Sequence, residues 1–187
     1  MTLSSHLLQL INDVLDLSKV EAGKIEFTPE KVNLTITVAE ICEVFRTLSA
    51  GKSIQIDTFV DPSVDEVTLD SAKLKQILYN YLSNAIKFTP EQGRIKVSAL
   101  PAGRDHFRIQ VEGSGIGIKP KDIPRLFVEF QQLDAGASKN YQGTGLGLSL
   151  TRKIVEAQGG SVGVTSMPGH GSIFFAVLPR SAIVAKT

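Results

Sequence analysis

Gly143-Thr144-Gly145-Leu146-Gly147-Leu148 runs straight into an apolar, helix-compatible segment that ends near Val155. Glycine lets backbone N–H groups converge on an anion with no Cβ in the way. A helix N-terminus adds partial positive charge at the same place. The local expectation is a phosphate cradle at the start of a helix. Glycine turns are common, so this reading needs a base pocket and a metal site elsewhere in the chain.

The rest of the chain is long enough to supply both. Its 187 residues fit one medium domain plus an appendage. Hydrophobic residues make up 42% and the formal net charge is +1, so nothing global points to nucleic acid or a membrane surface. The single cysteine, Cys42, excludes an internal disulfide framework. It lies in the apolar run Val38–Phe45, which predicts a buried structural thiol. No run approaches the roughly 18 apolar residues of a membrane span, and Met1 is not followed by a basic and then apolar leader. The expectation is a cytoplasmic fragment without membrane contact, whose parent protein can still be membrane-anchored.

Residues 5–22 predict an amphipathic helix. Leu7, Leu10, Val14 and Leu17 step by three and four, Leu8, Ile11 and Leu15 widen the stripe, and Gly23 is a natural stop. Such a stripe needs a partner, and no second helix of this kind precedes it, so half of a helical hairpin is expected to lie outside this chain. Beyond Gly23 the pattern becomes mixed. Lys24–Phe27 reads as a short strand, and Asn33 or Thr35 caps a helix to about Leu48. Ile54–Val60 alternates as a strand. Asp70 or Ser71 caps a long helix that ends at Thr89-Pro90. Arg94–Leu100 and His106–Glu112 are two further strands, and Ile123–Phe130 a short helix. Residues 131–142 form a polar loop of the length at which loops are usually functional. A third helix covers about Leu146–Gln158, and Ser161–Ser166 and Ser172–Leu178 make a hairpin around Pro168-Gly169. The expected fold class is α/β, a two-layer sandwich of a mixed, mostly antiparallel sheet with about three helices on one face. The expected divisions are 1–23, 24–180 and a tail at 181–187.

The long helix carries the metal-site candidates. Leu74, Ile77, Leu78, Tyr81, Leu82 and Ala85 form its apolar face. Beside them Asn80, Asn84 and Lys87 fall on one line, a turn apart. Carboxamide oxygens are hard ligands and an ammonium neutralises phosphate, so this line suits a metal ion with phosphates. A solvated helix face is the plain alternative. Gly113-Ser114-Gly115-Ile116-Gly117 follows a strand directly, either as a tight turn or as one wall of a nucleotide pocket.

Taken in order, Asn80-x-x-x-Asn84, Gly115-x-Gly117, Phe127-x-x-Phe130, Gly143-Thr-Gly-Leu-Gly and Gly169-x-Gly171-Ser172 resemble the ATP-binding domain of sensor histidine kinases, a superfamily shared with gyrase, Hsp90 and MutL. The likeness covers about residues 24–180. Residues 5–23, with Leu7-Leu-x-Leu-Ile-Asn-Asp-Val-Leu-Asp-Leu-Ser-Lys-Val-Glu-Ala-Gly, are similar to the second helix of that family's dimerisation hairpin. The resemblance implies ATP and Mg²⁺. Asn84 would hold the metal, Asn80 would assist it or a water, and Lys87 would meet phosphate. Gly143, Thr144, Gly145, Leu146, Gly147 and Leu148 would hold the phosphates under a lid at 131–142 anchored by Phe127 and Phe130. Gly113, Gly115, Gly117, Ile118, Leu148, Ser172 and Phe174 would line the adenine end. The implied partners are the histidine-bearing dimerisation domain of the same or a partner kinase, a response regulator receiver domain, and a second copy in a full-length homodimer.

Two departures bear on activity. None of His6, His106 and His170 has the neighbours of the family's phospho-accepting histidine. The turn expected as Asp-x-Gly-x-Gly begins with Gly113. Glu112 cannot replace the missing acid, because adjacent strand residues point to opposite faces. A charge-assisted hydrogen bond contributes about 1.5–3 kcal/mol, so ATP would bind about 10- to 100-fold more weakly. Either a kinase catalytic domain or a pseudokinase interaction module follows from this. A dinucleotide-binding oxidoreductase is the weaker reading, since Gly143 follows a polar loop rather than a strand.

Overall fold

Asn33 ends a short strand and caps the helix that follows it, its side chain accepting from Ile36 N. The computed structural model describes residues 14–15, 17–20, 22–131 and 145–181. β1 (Glu30–Asn33) runs into α1 (Leu34–Val44) and a short α2 (Arg46–Gly51). β2 (Gln55–Val60), a 3-10 turn at Pro62–Val64 and β3 (Glu66–Leu69) follow. After α3 (Ser71–Phe88) come β4 (Arg94–Pro101), β5 (His106–Gly113) and a 3-10 stretch at Pro120–Arg125. α4 (Gly147–Ala157), β6 (Ser161–Met167) and β7 (Gly171–Pro179) complete the described elements.

The five-stranded sheet has the order β2-β4-β5-β7-β6, parallel between β2 and β4 and antiparallel elsewhere. β1 and β3 pair as a separate antiparallel ribbon. Alternation along β5 sends Phe107, Ile109 and Val111 inward. They meet Leu74, Ile77, Leu78, Tyr81 and Leu82 of α3 and Leu150, Ile154 and Val155 of α4 in one hydrophobic cluster. The two-layer α/β sandwich with a mixed sheet is therefore the observed fold.

Several local expectations are corrected. Lys24–Phe27 forms no strand; Ile25 and Phe27 instead lie half-buried on the core, and pairing begins at Glu30. The helix expected to reach Leu48 breaks at Phe45, which turns to bury its ring against Tyr79, with centroids 4.9 Å apart. Cys42 is half-buried rather than fully enclosed, and burial raises its thiol above the ordinary value. The apolar stripe of α3 ends on Ile86, not Ala85. Residues 123–130 are not an α-helix: the 3-10 stretch contains Pro124, which lacks an N–H, and turns continue to Phe130. Most of the expected helix at 5–22, the loop at 131–142 and most of the tail lie outside the described residues. Leu17, within them, is buried in the same cluster, with Val20 packed beside it.

Candidate functional site

α3 is fixed at both ends. Asp70 caps it, accepting from Lys73 N at 2.9 Å, while its second oxygen accepts from Thr28 N at 2.9 Å. Pro90 stops it, and the ammonium of Lys52 gathers the last carbonyls, donating to Ile86 O at 2.8 Å, Lys87 O at 3.3 Å and Thr89 O at 2.8 Å. This rigid helix carries the line Asn80, Asn84 and Lys87.

Asn80 joins the line to the glycine run. Its Nδ2 donates to Gly147 O at 3.1 Å and Thr151 Oγ1 at 3.0 Å, both on α4. The amide nitrogen thus positions α4. Asn84, one turn on, is half-buried, and its side chain makes no hydrogen bond to a described residue. Lys87 is half-buried, its ammonium 5.1 Å from the Phe88 ring centroid, and desolvation lowers it below the ordinary lysine range. α4 begins with no side-chain cap: Leu146, at the cap position, buries its side chain completely. The first-turn N–H groups therefore have the character of an anion site.

Gly143 and Thr144 lie outside the described residues. Gly145 has φ +72°, and its carbonyl accepts from Phe130 N at 3.1 Å, so the chain leaves at Phe130 and returns at Gly145 to the same point. Phe130 itself has φ +58° and is 67% exposed, while Phe127 is half-buried. Phe130, expected to anchor the base of the lid, meets Gly145 through its backbone, and its side chain is largely exposed. Glu129 pairs with Lys153 of α4 at 2.6 Å, tying the same segment to the helix.

The opposite wall is the turn after β5. A Cβ on Gly115 would lie 2.5 Å from Phe88 O, and one on Gly117, which has φ +69°, would overlap Met167 O. Only glycine lets this turn pass between the end of α3 and the β6–β7 hairpin. Ile118 N donates to Ser166 Oγ at 2.8 Å, and that oxygen lies 2.8 Å from Ser172 Oγ. Ser172 is the strand partner of Gly113. Phe174 packs its ring 6.0 Å from that of Tyr81, and Leu148 is half-buried against the core. Ser166 was not singled out from sequence, since a serine in a strand carries no local signal. Thr89 was seen only as a helix stop, yet it lies against Gly113.

Among the described residues no group of three or more His, Cys, Asp or Glu side chains could hold a metal. The residues present could hold a Mg²⁺ ion carried largely by phosphate oxygens and waters, with Asn84 and Asn80 as the candidate carboxamide donors, rather than an all-protein metal cage. No described helix is long and apolar enough to cross a membrane.

Residues 69–182 match the family model for histidine kinase-, DNA gyrase B- and HSP90-like ATPases. Over 181 residues the chain is 39% identical to the circadian input-output histidine kinase CikA of Synechococcus elongatus, covering 96% of this chain and 24% of that protein. It is 38% identical over 179 residues to hybrid signal transduction histidine kinase B of Dictyostelium discoideum, covering 94% of this chain and 9% of that protein. The chain thus spans under a quarter of the length of these relatives. Full-length ShkA, solved with AMPPNP, superposes with TM-score 0.84 at 31% identity, covering 96% of this chain and 37% of that one. The nucleotide-free catalytic domain of the histidine kinase ThkA superposes with TM-score 0.72 at 29% identity, covering 84% and 98%.

Proposed function

The chain belongs to the histidine kinase-, DNA gyrase B- and HSP90-like ATPase family, as an ATP-binding domain of the sensor histidine kinase type, and we propose that it binds Mg-ATP for γ-phosphoryl transfer to a histidine. The acceptor would sit on a dimerisation hairpin of the same or a partner kinase, in the cytoplasm, with a receiver domain next in the relay. The observation that carries this reading is the Asn80 clamp, which sets the uncapped start of α4 beside the line of Asn84 and Lys87.

Catalysis then rests on position and charge. The first-turn N–H groups of α4 and the backbone of 143–148 cradle phosphate oxygens. Lys87 neutralises phosphate from a site where water screens it less. Magnesium, held at Asn84 with Asn80 assisting it or a bound water, would supply further charge neutralisation. Residues 131–142 serve as the lid over the phosphates in this reading, which the bond from Phe130 N to Gly145 O on either side of them supports. Gly113, Gly115, Gly117, Ile118, Leu148, Ser172 and Phe174 enclose the base.

This reading puts the acceptor outside this chain: His106 begins β5 and His170 sits exposed in the last turn, and neither has the sequence neighbours of an acceptor histidine. Gly113 removes the acid that reads the adenine amine, which favours a second reading: an interaction module of the same fold with little nucleotide turnover. Calorimetry with Mg-ATP separates the two when combined with labelled ATP and a supplied dimerisation hairpin. Gly113→Asp is expected to tighten ATP about 10- to 100-fold and to increase labelling of the hairpin. Tight binding and full labelling by the unmodified chain would sink the pseudokinase reading. Absence of binding at millimolar ATP in both chains would sink the kinase reading.

A further inference from the structure

Asn80 spends both hydrogens of its carboxamide on α4. Nδ2 donates to Gly147 O at 3.1 Å and to Thr151 Oγ1 at 3.0 Å. The two ends of a carboxamide have the same shape, so its partners decide which way it lies. Gly147 O can only accept a hydrogen bond, so the nitrogen end must face it. Thr151 is fully buried, and its hydroxyl oxygen takes the second hydrogen. Oδ1 is then the one polar side-chain atom that Asn80 has left, and it bonds to no described residue. It lies at the start of α4: a Cβ on Gly147 would meet Asn80 Oδ1 first, at 3.5 Å. Asn80 is half-buried and keeps part of its surface open.

We propose, on the strength of the nucleotide-site reading above, that Thr151 is a positioning residue that makes Asn80 an acceptor toward the magnesium side of Mg-ATP. Phosphate oxygens only accept hydrogen bonds, as Oδ1 does, so the two do not pair. A divalent cation, or a water polarised by one, suits a carboxamide oxygen. Gly147 O alone would leave the amide hinged on one hydrogen bond. Thr151 supplies the second point and fixes its plane. Valine at 151 would keep the shape but leave one amide hydrogen of Asn80 without its partner. That hydrogen would then be free to turn toward a phosphate oxygen, and Oδ1 would lose its direction. Serine would keep the hydroxyl and, with it, the polarity of Asn80.

The test compares the whole chain with Thr151→Val and Thr151→Ser, each also in the Gly113→Asp background, which tightens the base end. Calorimetry measures ATP affinity with magnesium and with EDTA. NMR follows the exchange of the Asn80 side-chain amide protons with water, without nucleotide. Thr151→Val is expected to weaken Mg-ATP about 3- to 10-fold, while metal-free ATP changes by less than about twofold. The same variant should speed exchange of the Asn80 amide. Thr151→Ser should restore both readouts. Equal weakening with and without magnesium would mean that Thr151 only packs α4, and overturns its role toward the metal. Unchanged Mg-ATP affinity in Thr151→Val, or an Asn80 amide that exchanges as slowly as in the parent, does the same. All three results leave the nucleotide site standing. No ATP binding by any of the chains, Gly113→Asp included, overturns the nucleotide-site reading as well.

Discussion

Tyr81 sends its phenol through the core to the carbonyl of Phe175 in β7, 3.0 Å away. Burial holds the phenol's pKa above its ordinary value near 10. The folded state therefore keeps this proton at pH values where the unfolded chain has lost it. The sign follows: the contribution is complete below about pH 10 and is lost as pH rises beyond it. Tyr81→Phe should cost about 1 kcal/mol at neutral pH, and should flatten the loss of stability above pH 10 in urea titrations across pH. At this scale the sequence was uneven. Gly113 is visible as a departure from a motif, and the line Asn80, Asn84, Lys87 as a helical spacing. The Thr89 hydroxyl, buried without a hydrogen-bond partner, is not visible, because such burial is a property of what surrounds it.

Among the elements, α3 is the one most fully written in its own residues. Asp70 caps it, its apolar stripe steps by three and four, and Thr89-Pro90 ends it. The apolar spacing over Ile123–Phe130 predicts a short helix, but Pro124 leaves a 3-10 stretch at Pro120–Arg125 with turns beyond it. β1 and β3 were missed because each is a four-residue strand made stable by the other. The C-terminal clamp by Lys52 was also unreadable: its partners are 34 to 37 residues away. Lys52→Met should lower stability by about 1–3 kcal/mol, since a charged donor leaves three carbonyls. Hydrogen exchange should report faster opening at the last turn of α3 while the middle of the helix stays protected. Equal loss along the whole helix would show that Lys52 supports the fold rather than this terminus.

Across the whole molecule, the strand order β2-β4-β5-β7-β6 sets the end of β5 beside the β6–β7 hairpin, where the turn after β5 is bonded to Ser166 and forms one wall of the proposed base pocket. Leu17, 6% exposed, belongs to the same hydrophobic cluster as the sheet and helices. Leu17→Ala should therefore lower the unfolding free energy of the entire domain in urea by about 2 kcal/mol, in a single transition. A separate early transition would mark the segment around Leu17 as an independent unit. The amino-acid sequence by itself determined the α/β class, the bounds of the long helix, most strands and the glycine turns, because each depends on neighbours within a few residues. The tertiary structure alone decided that Asn80 holds α4 from 67 residues away and that Thr89 confronts Gly113. Strand register and helix packing select those encounters, and neither is encoded in any local pattern.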